Sequence, residues 1–288
     1  VILTMAEANS VGLAFVRSRR AMVALAVTAS FVSVSATAQE IPAFARDVPH
    51  IRAGDPVFQF NGKDLTGFYT YLHDQKYDDP SGVFSVQDGM IRISGDGFGG
   101  LVTREEFHDY QLITEWKWGE KTWAPRKDNA RDSGILLHCV SPDDAAGGHW
   151  MESQECQIIE GGCGDLLMVG GLNKTRLTCE TRIGPDKQYY FQKGGTAVTR
   201  DGGRFNWWGR DPSWKDALGF RGARDVEKPH GQWNRMEVIC DGDTITNIVN
   251  GYVVNIGTKS SHTMGKITFQ TEGAEIFFRK IEVRPLVK

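Results

Sequence analysis

The densest concentration of reactive side chains is Glu155-Cys156-Gln157-Ile158-Ile159-Glu160. Two carboxylates flanking a carboxamide could divide acid and base duties between them. On a regular strand Glu155, Gln157 and Ile159 share one face, and Cys156, Ile158 and Glu160 the other. A β-bulge between Gln157 and Glu160 would bring all three polar side chains to one face. Without it, the segment is a solvated strand face with acidic ends. Ile and Cys at alternate positions nevertheless imply that the opposite face is buried.

His138 is the second candidate. On Gly134–Val140, Ile135, Leu137 and Cys139 form one face, and Gly134, Leu136 and His138 the other. An imidazole there is either a hydrogen-bonded structural residue or a functional one. If an antiparallel connection through Ser141–Ser153 brings this strand beside Glu155–Glu160, His138 and Glu155 could share a proton or a divalent metal ion. Glu115 alternates in the same way and could join that face. Gln270, Glu272 and Arg279 fall on a final hairpin that turns at Gly273, where Arg279 is either half of an ion pair or a substrate contact. Trp207, Trp208 and Trp214 either stack on sugar rings or form a small core of their own.

The elements that must position these residues are strands. Short β-type runs span Val83–Gln87, Met90–Ser94, Tyr110–Trp118, Gly134–Val140, Glu155–Glu160, Trp233–Cys240, Thr244–Val249, Lys266–Thr271 and Ile276–Val283. Turn signals such as Gln87-Asp88-Gly89, Cys240-Asp241-Gly242-Asp243 and Asn250-Gly251 separate them. Helical periodicity is almost missing after residue 40, so the chain reads as an all-β sandwich or jelly roll. Gly184 to His230 is the exception. It is poor in strand signal but rich in aromatics, which predicts a long loop folded over one face rather than disorder.

Composition narrows the function. A formal charge of −3 gives no electrostatic reason to expect nucleic acid as a partner. Five cysteines without a CxxC pair argue against a structural zinc site, and their odd number leaves at least one thiol unpaired within the chain. Arg17, Arg19 and Arg20, an apolar run to Ala36 and the small-x-small exit Ala36-Thr37-Ala38 read as a secretory signal over residues 1–38. Ser18-Arg19-Arg20 half-matches a twin-arginine signal. The expectation is a periplasmic or secreted protein with a linker over 39–56, one domain over 57–288 and no membrane span once the leader is removed. Eight tryptophans and 33 glycines suit a β protein that handles carbohydrate.

Phe60-Asn61-Gly62-Lys63-Asp64-Leu65-Thr66-Gly67 resembles the opening motif of the 3-keto-disaccharide hydrolase domains. Gly100-Leu101-Val102-Thr103, Ser133-Gly134-Ile135, Glu155-Cys156-Gln157-Ile158, Gly231-Gln232-Trp233-Asn234, Asn250-Gly251 and Phe277-Phe278-Arg279-Lys280-Ile281 follow in the family's order. The resemblance implies a concanavalin A-like jelly roll of two antiparallel sheets, related to lectins and glucanases. It also implies cleavage of 3-keto-glycosides, by hydrolysis or by elimination and rehydration. Two positions depart from the family pattern: His138 stands where many members have Arg, and Glu272 where many have His. These departures point to a subgroup with a different substrate or metal arrangement. The Glu155–Glu160 segment is also similar to the ExDxxE strand of laminarinase- and lichenase-type glucanases, with Gln157 in place of Asp.

A ketone at C3 acidifies the proton on C2, so a modest base can remove it and the enediolate then expels the group on C1. Such a site needs a base and something cationic near O3. Glu155 is expected as base or ligand, His138 as ligand or acid–base partner, and Glu160 or Glu272 in support. A divalent metal held by His138 and Glu155 would act as Lewis acid, with no organic cofactor. Gln157, Glu115, Gln270, Glu272, Arg279, Trp207 and Trp208 are the expected substrate contacts. Two other readings stay open: a retaining β-glucanase using Glu155 and Glu160, and a non-catalytic carbohydrate-binding module.

Overall fold

The computed structural model describes residues 40–170 and 175–288, so the expected secretory signal lies outside the described residues. Glu40 to Pro56 is not a free linker. Ala43–Arg46 forms one 3₁₀ turn whose Ala45 is fully buried, and Ala53 bridges to Leu286.

Nineteen strands follow among the described residues. They are β1 (Phe58–Gln59), β2 (Phe68–Leu72), β3 (Phe84–Gln87), β4 (Met90–Ile93), β5 (Phe98–Thr103), β6 (Phe107–His108), β7 (Tyr110–Thr122), β8 (Asp132–Cys139), β9 (Ser153–Ile159) and β10 (Leu166–Val169). The rest are β11 (Leu177–Ile183), β12 (Tyr189–Phe191), β13 (Thr196–Arg200), β14 (Gly203–Phe205), β15 (Asn234–Asp241), β16 (Thr244–Val249), β17 (Tyr252–Thr258), β18 (Met264–Glu272) and β19 (Ala274–Pro285). All nine expected strands are present, with ends shifted by a few residues. Further strands add themselves where pairing, not propensity, makes them; β17 completes the hairpin that Asn250-Gly251 turns.

The strands make two antiparallel sheets, the jelly-roll sandwich that the sequence predicts. One has eleven strands, with β12-β11-β17-β16-β15-β7-β19-β4-β3 as its path, and the other eight, along β14-β10-β9-β8-β18-β5-β2. Alternate side chains of both sheets meet in a single apolar core that includes Leu112, Trp116, Ile135, Cys156, Ile158, Phe269 and Phe278. Burying these alternate residues leaves the other set on the outer face of the eight-stranded sheet. That face carries Glu155, Gln157, Asp132 and Gln270.

The segment from 184 to 230 departs from the expectation of one irregular loop. It contributes β12, β13 and β14, and β14 pairs with β10 at the edge of the smaller sheet. Trp207 and Trp208 are buried in the main core, where their indole N–H groups donate to the Gly161 and Val253 carbonyls. Neither is free to stack on a sugar. The remaining stretch is latched to its neighbours by Trp214 Nε1 on the Glu160 carbonyl, by Leu218 N on the Asp128 carbonyl, and by Asp216.

Candidate active site

Strand β8 stands between β9 and β18 and sets the floor of the site. Its register pairs Leu136 with Glu155, Gly134 with Gln157 and Asp132 with Ile159, without a shift along the run. On the other side Thr268 pairs with Leu136, which places Gln270 beside Gly134 and Glu272 near Asp132. Gly134 has no side chain to occupy the centre. A Cβ there would collide with Oε1 of both Glu155 and Gln270, so these two side chains converge over the glycine. Gly100, the partner of Gln270 on β5, leaves room for the Thr268 methyl group.

The hollow is lined by groups that lack partners. Both amide atoms of Gln270 and Oε1 of Gln157 are buried without a hydrogen bond among the described residues. Burying a carboxamide unpaired costs about 1–3 kcal/mol, and folded proteins keep such groups chiefly where a ligand or water pairs them. Glu155 beside them is almost fully buried. Asp132, in contrast, is firmly held. Gln157 Nε2 donates to its Oδ1 at 2.7 Å, and Arg126 pairs with its Oδ2 at 2.9 Å. Asp216 fixes Arg126 in turn at 3.2 Å while also accepting from Asn129 and the Ala130 backbone.

Three acids share this face, and they cannot all ionise easily. Burial, and then the charge of Asp132, push the Glu155 pKa up to about 8. Burial pushes Asp132 up to about 7 against the pull of Arg126 and Arg204. Burial, followed by the charges of Asp132 and Glu155, holds Glu272 well above the carboxylate range. Arg204 acts on all three from β14, where it pairs with Leu167, itself the partner of Glu155. Arg126 is shared between Asp132 and Asp216, and Arg204 between this cluster and Asp165, so neither arginine neutralises the cluster alone, and raised carboxyl pKa values of this kind suit acid–base work.

Several expected residues lie elsewhere. His138 sits at a β-bulge with φ +52°, where β8 takes two residues against one on β18. The bulge flips it toward the core, against the Tyr110 ring at 5.6 Å, while Cys139 moves to the Leu136 side. His138 and Glu155 are therefore on opposite faces of the sheet, and a metal shared between them does not fit. Burial also pushes the His138 pKa down to about 4. No group of three or more His, Cys, Asp or Glu among the described residues is placed to hold a metal ion.

Glu160 is not the partner of Glu155 either. Strand β9 runs without a bulge, and the Glu160 carboxylate is taken by Arg131 at 2.8 Å and by the Gly219 backbone N–H at 2.7 Å. Glu115 and Arg279 form an ion pair at 2.6 Å on the outer face of the larger sheet, away from the hollow. Of the expected set, Glu155, Gln157, Gln270 and Glu272 come together. Asp132, Arg126 and Arg204 complete the cluster without having been expected. Asp132 was legible: it precedes Ser133-Gly134-Ile135 and alternates with Gly134. Arg126 reaches Asp132 from the irregular connection just before β8, and Arg204 arrives through a tertiary contact that no local spacing announces.

A family model described as a 3-keto-alpha-glucoside-1,2-lyase-like domain matches residues 56–284 of this chain. Two crystal structures from Parabacteroides distasonis ATCC 8503, provisionally named glycosyl hydrolases, are similar to it. One is 18% identical, with 79% of this chain and 92% of that chain covered and a TM-score of 0.45. The other is 20% identical, with 80% and 98% covered and a TM-score of 0.45. A Bacillus licheniformis β-glucanase is 12% identical over 78% of this chain and 96% of that chain, with a TM-score of 0.41. No curated protein matches the sequence.

Proposed function

Because the chain belongs to the 3-keto-alpha-glucoside-1,2-lyase-like domain family, and so to carbohydrate-active proteins of the hydrolase or lyase kind, we propose that it cleaves 3-keto-glycosides by elimination across C1 and C2. The observation that carries this reading is that Glu155 and Gln270, whose amide has no hydrogen-bond partner among the described residues, meet over Gly134. The buried Glu155 carboxylate can remove the C2 proton. The C2–H electrons then form the enediolate between C2 and C3. As they return, the bond from C1 to its oxygen breaks, and the acid just formed on Glu155 delivers its proton to the departing oxygen. Water adding across C1 and C2 afterwards would give the free 3-keto sugar.

The remaining groups suit that sequence. The Gln270 amide N–H is a donor for the oxygen at C3, and Arg204 supplies positive charge as it becomes anionic. Burial makes Glu155 a stronger base once it has lost its proton, because the charged form is poorly solvated. Asp132, steadied by Arg126 and Gln157, keeps the Glu155 pKa high. Metal assistance belongs to this proposal only as a variable to be tested, with no step assigned to an ion. Export by the leader over residues 1–38 is likewise proposed, and would place the reaction outside the cytoplasm.

The test is incubation of the protein with 3-keto-glucosides and with their unoxidised parents, with and without chelator, in deuterated water. The proposal expects cleavage of the oxidised sugars only, with deuterium entering at C2. Cleavage of unoxidised β-glucan, or cleavage without exchange at C2, would overturn it.

A further inference from the structure

A second hollow lies on the same sheet, where β2 and β5 form its far edge. It is an open groove of about 600 Å³ lined by Tyr69, Thr70, Tyr77, Arg104, Asp143 and Lys266 among others. Tyr69 stands in the same cross-strand row as Glu155, through Val102, Thr268 and Leu136. Four strand spacings separate the two residues by about 19 Å. Met151 and Trp150 pack on Val102 and Leu136 between them, so a ridge divides this hollow from the acidic one.

Its chemistry is the reverse of the acidic site. The Asp143 carboxylate is occupied by two phenols, Tyr69 at 2.7 Å and Tyr77 at 2.9 Å. Those bonds fix two aromatic rings as the wall of the hollow. Lys266 Nζ lies 4.8 Å from the centre of the Tyr69 ring and donates to its hydroxyl at 3.2 Å. The Arg104 guanidinium lies 5.8 Å from the centre of the same ring. Neither cation forms a salt bridge with a carboxylate among the described residues. Tyr77 is 63% exposed.

The exposed Tyr77 ring can take the apolar C–H face of a pyranose, and the two cations over Tyr69, neither of them in a salt bridge among the described residues, can take an anion beside it. We propose that this hollow binds an acidic carbohydrate, one whose sugar ring bears a carboxylate or a sulfate, as a second and non-catalytic site. Its role would be to hold an anionic glycan on the face that carries the acidic cluster. It does not depend on the reaction assigned to that cluster.

Calorimetric titration tests the site directly. The probes are a galacturonate oligosaccharide, a sulfated galactan oligosaccharide and a neutral galactan oligosaccharide of equal length. Binding of one or both acidic probes, weakened at least tenfold by Arg104→Gln with Lys266→Gln and by Tyr77→Ala, supports the site; which probe binds identifies the anion. Equal binding of the neutral probe, no binding of any probe, or binding indifferent to these substitutions overturns it. Arg104 and Tyr77 are exposed and Lys266 is half-buried, and an unchanged melting temperature confirms that each variant is folded. Binding of the probes needs no turnover, so this result stands apart from success or failure of the elimination test.

Discussion

Glu155 and Gln270 reach over Gly134 from strands on either side of it, and their oxygens claim the space that a methyl group at 134 would fill. A strand position without a side chain normally weakens a sheet by about 0.5–1 kcal/mol relative to Ala. Here the glycine makes the hollow. Gly134→Ala is expected to leave the melting temperature within about 4 °C of wild type while cutting turnover of a 3-keto-glucoside at least tenfold, because both polar side chains must swing aside. Turnover and thermal unfolding measured together check this. Full activity would show that the substrate does not sit over Gly134.

Glu155→Gln keeps the shape and removes the proton carrier. Turnover is expected to fall about 10²–10⁴-fold, the usual contribution of a positioned acid–base group. Exchange of the C2 proton with solvent should fall with it. Binding of an unreactive substrate analogue should change far less, which separates proton transfer from recognition. Continued exchange at the wild-type rate would remove Glu155 from the reaction.

The raised pKa values give a pH dependence with a definite sign. Activity that needs ionised Glu155 should rise through the range near pH 7–8 in which Asp132 and Glu155 titrate. Asp132→Asn removes the charge that helps to raise Glu155, so the rising limb should move to lower pH. Stability runs the other way. A buried carboxyl whose folded pKa lies above its unfolded value near 4.3 holds its proton more tightly when folded. That contribution is complete below about pH 4 and is lost as pH climbs through about 8. Glu155→Gln cannot lose it, so the variant should overtake wild type in melting temperature at pH 9. A rate profile and a set of thermal melts across pH 5–9 check both statements.

How much of this could be read from residues alone follows from where the information resides. Alternation announced the strands and placed Glu155 with Gln157, because β9 is regular along its whole length. Alternation failed at His138, since a bulge reverses the faces after it and leaves no mark in the spacing of apolar residues. Trp207 and Trp208 look alike in a core and in a sugar platform; only the pairing of β14 with β10 decides between them. Arg126 is six residues from Asp132 but reaches it across an irregular turn, and Arg204 comes from the distant strand β14.

Glu160 is the residue on which a glucanase-like mechanism and the present one differ. Its carboxylate is buried and joins Arg131 to the backbone of Gly219, so it fastens the 211–220 stretch to the rim of the sheet. Breaking a buried pair by removing one charge costs about 3–5 kcal/mol, because the other is left uncompensated. Glu160→Gln should therefore lower the melting temperature markedly while turnover per folded molecule stays within about threefold. A stable variant that has lost activity as fully as Glu155→Gln would return Glu160 to the catalytic pair.

His138 provides the sharpest check on which face of β8 does the chemistry. It is fully buried, its backbone is in the left-handed region, and its ring packs on Tyr110. Asn adopts that backbone conformation with less strain than most residues, so His138→Asn changes the side chain while sparing the bulge. Loss of ring packing should cost about 1–3 kcal/mol of stability. Turnover per folded molecule should stay within about twofold, and adding or chelating divalent ions should affect variant and wild type alike. If activity instead collapses and added metal restores it in the variant alone, the imidazole and Glu155 must act across the sheet together, and the separation of faces on which the elimination mechanism rests is wrong.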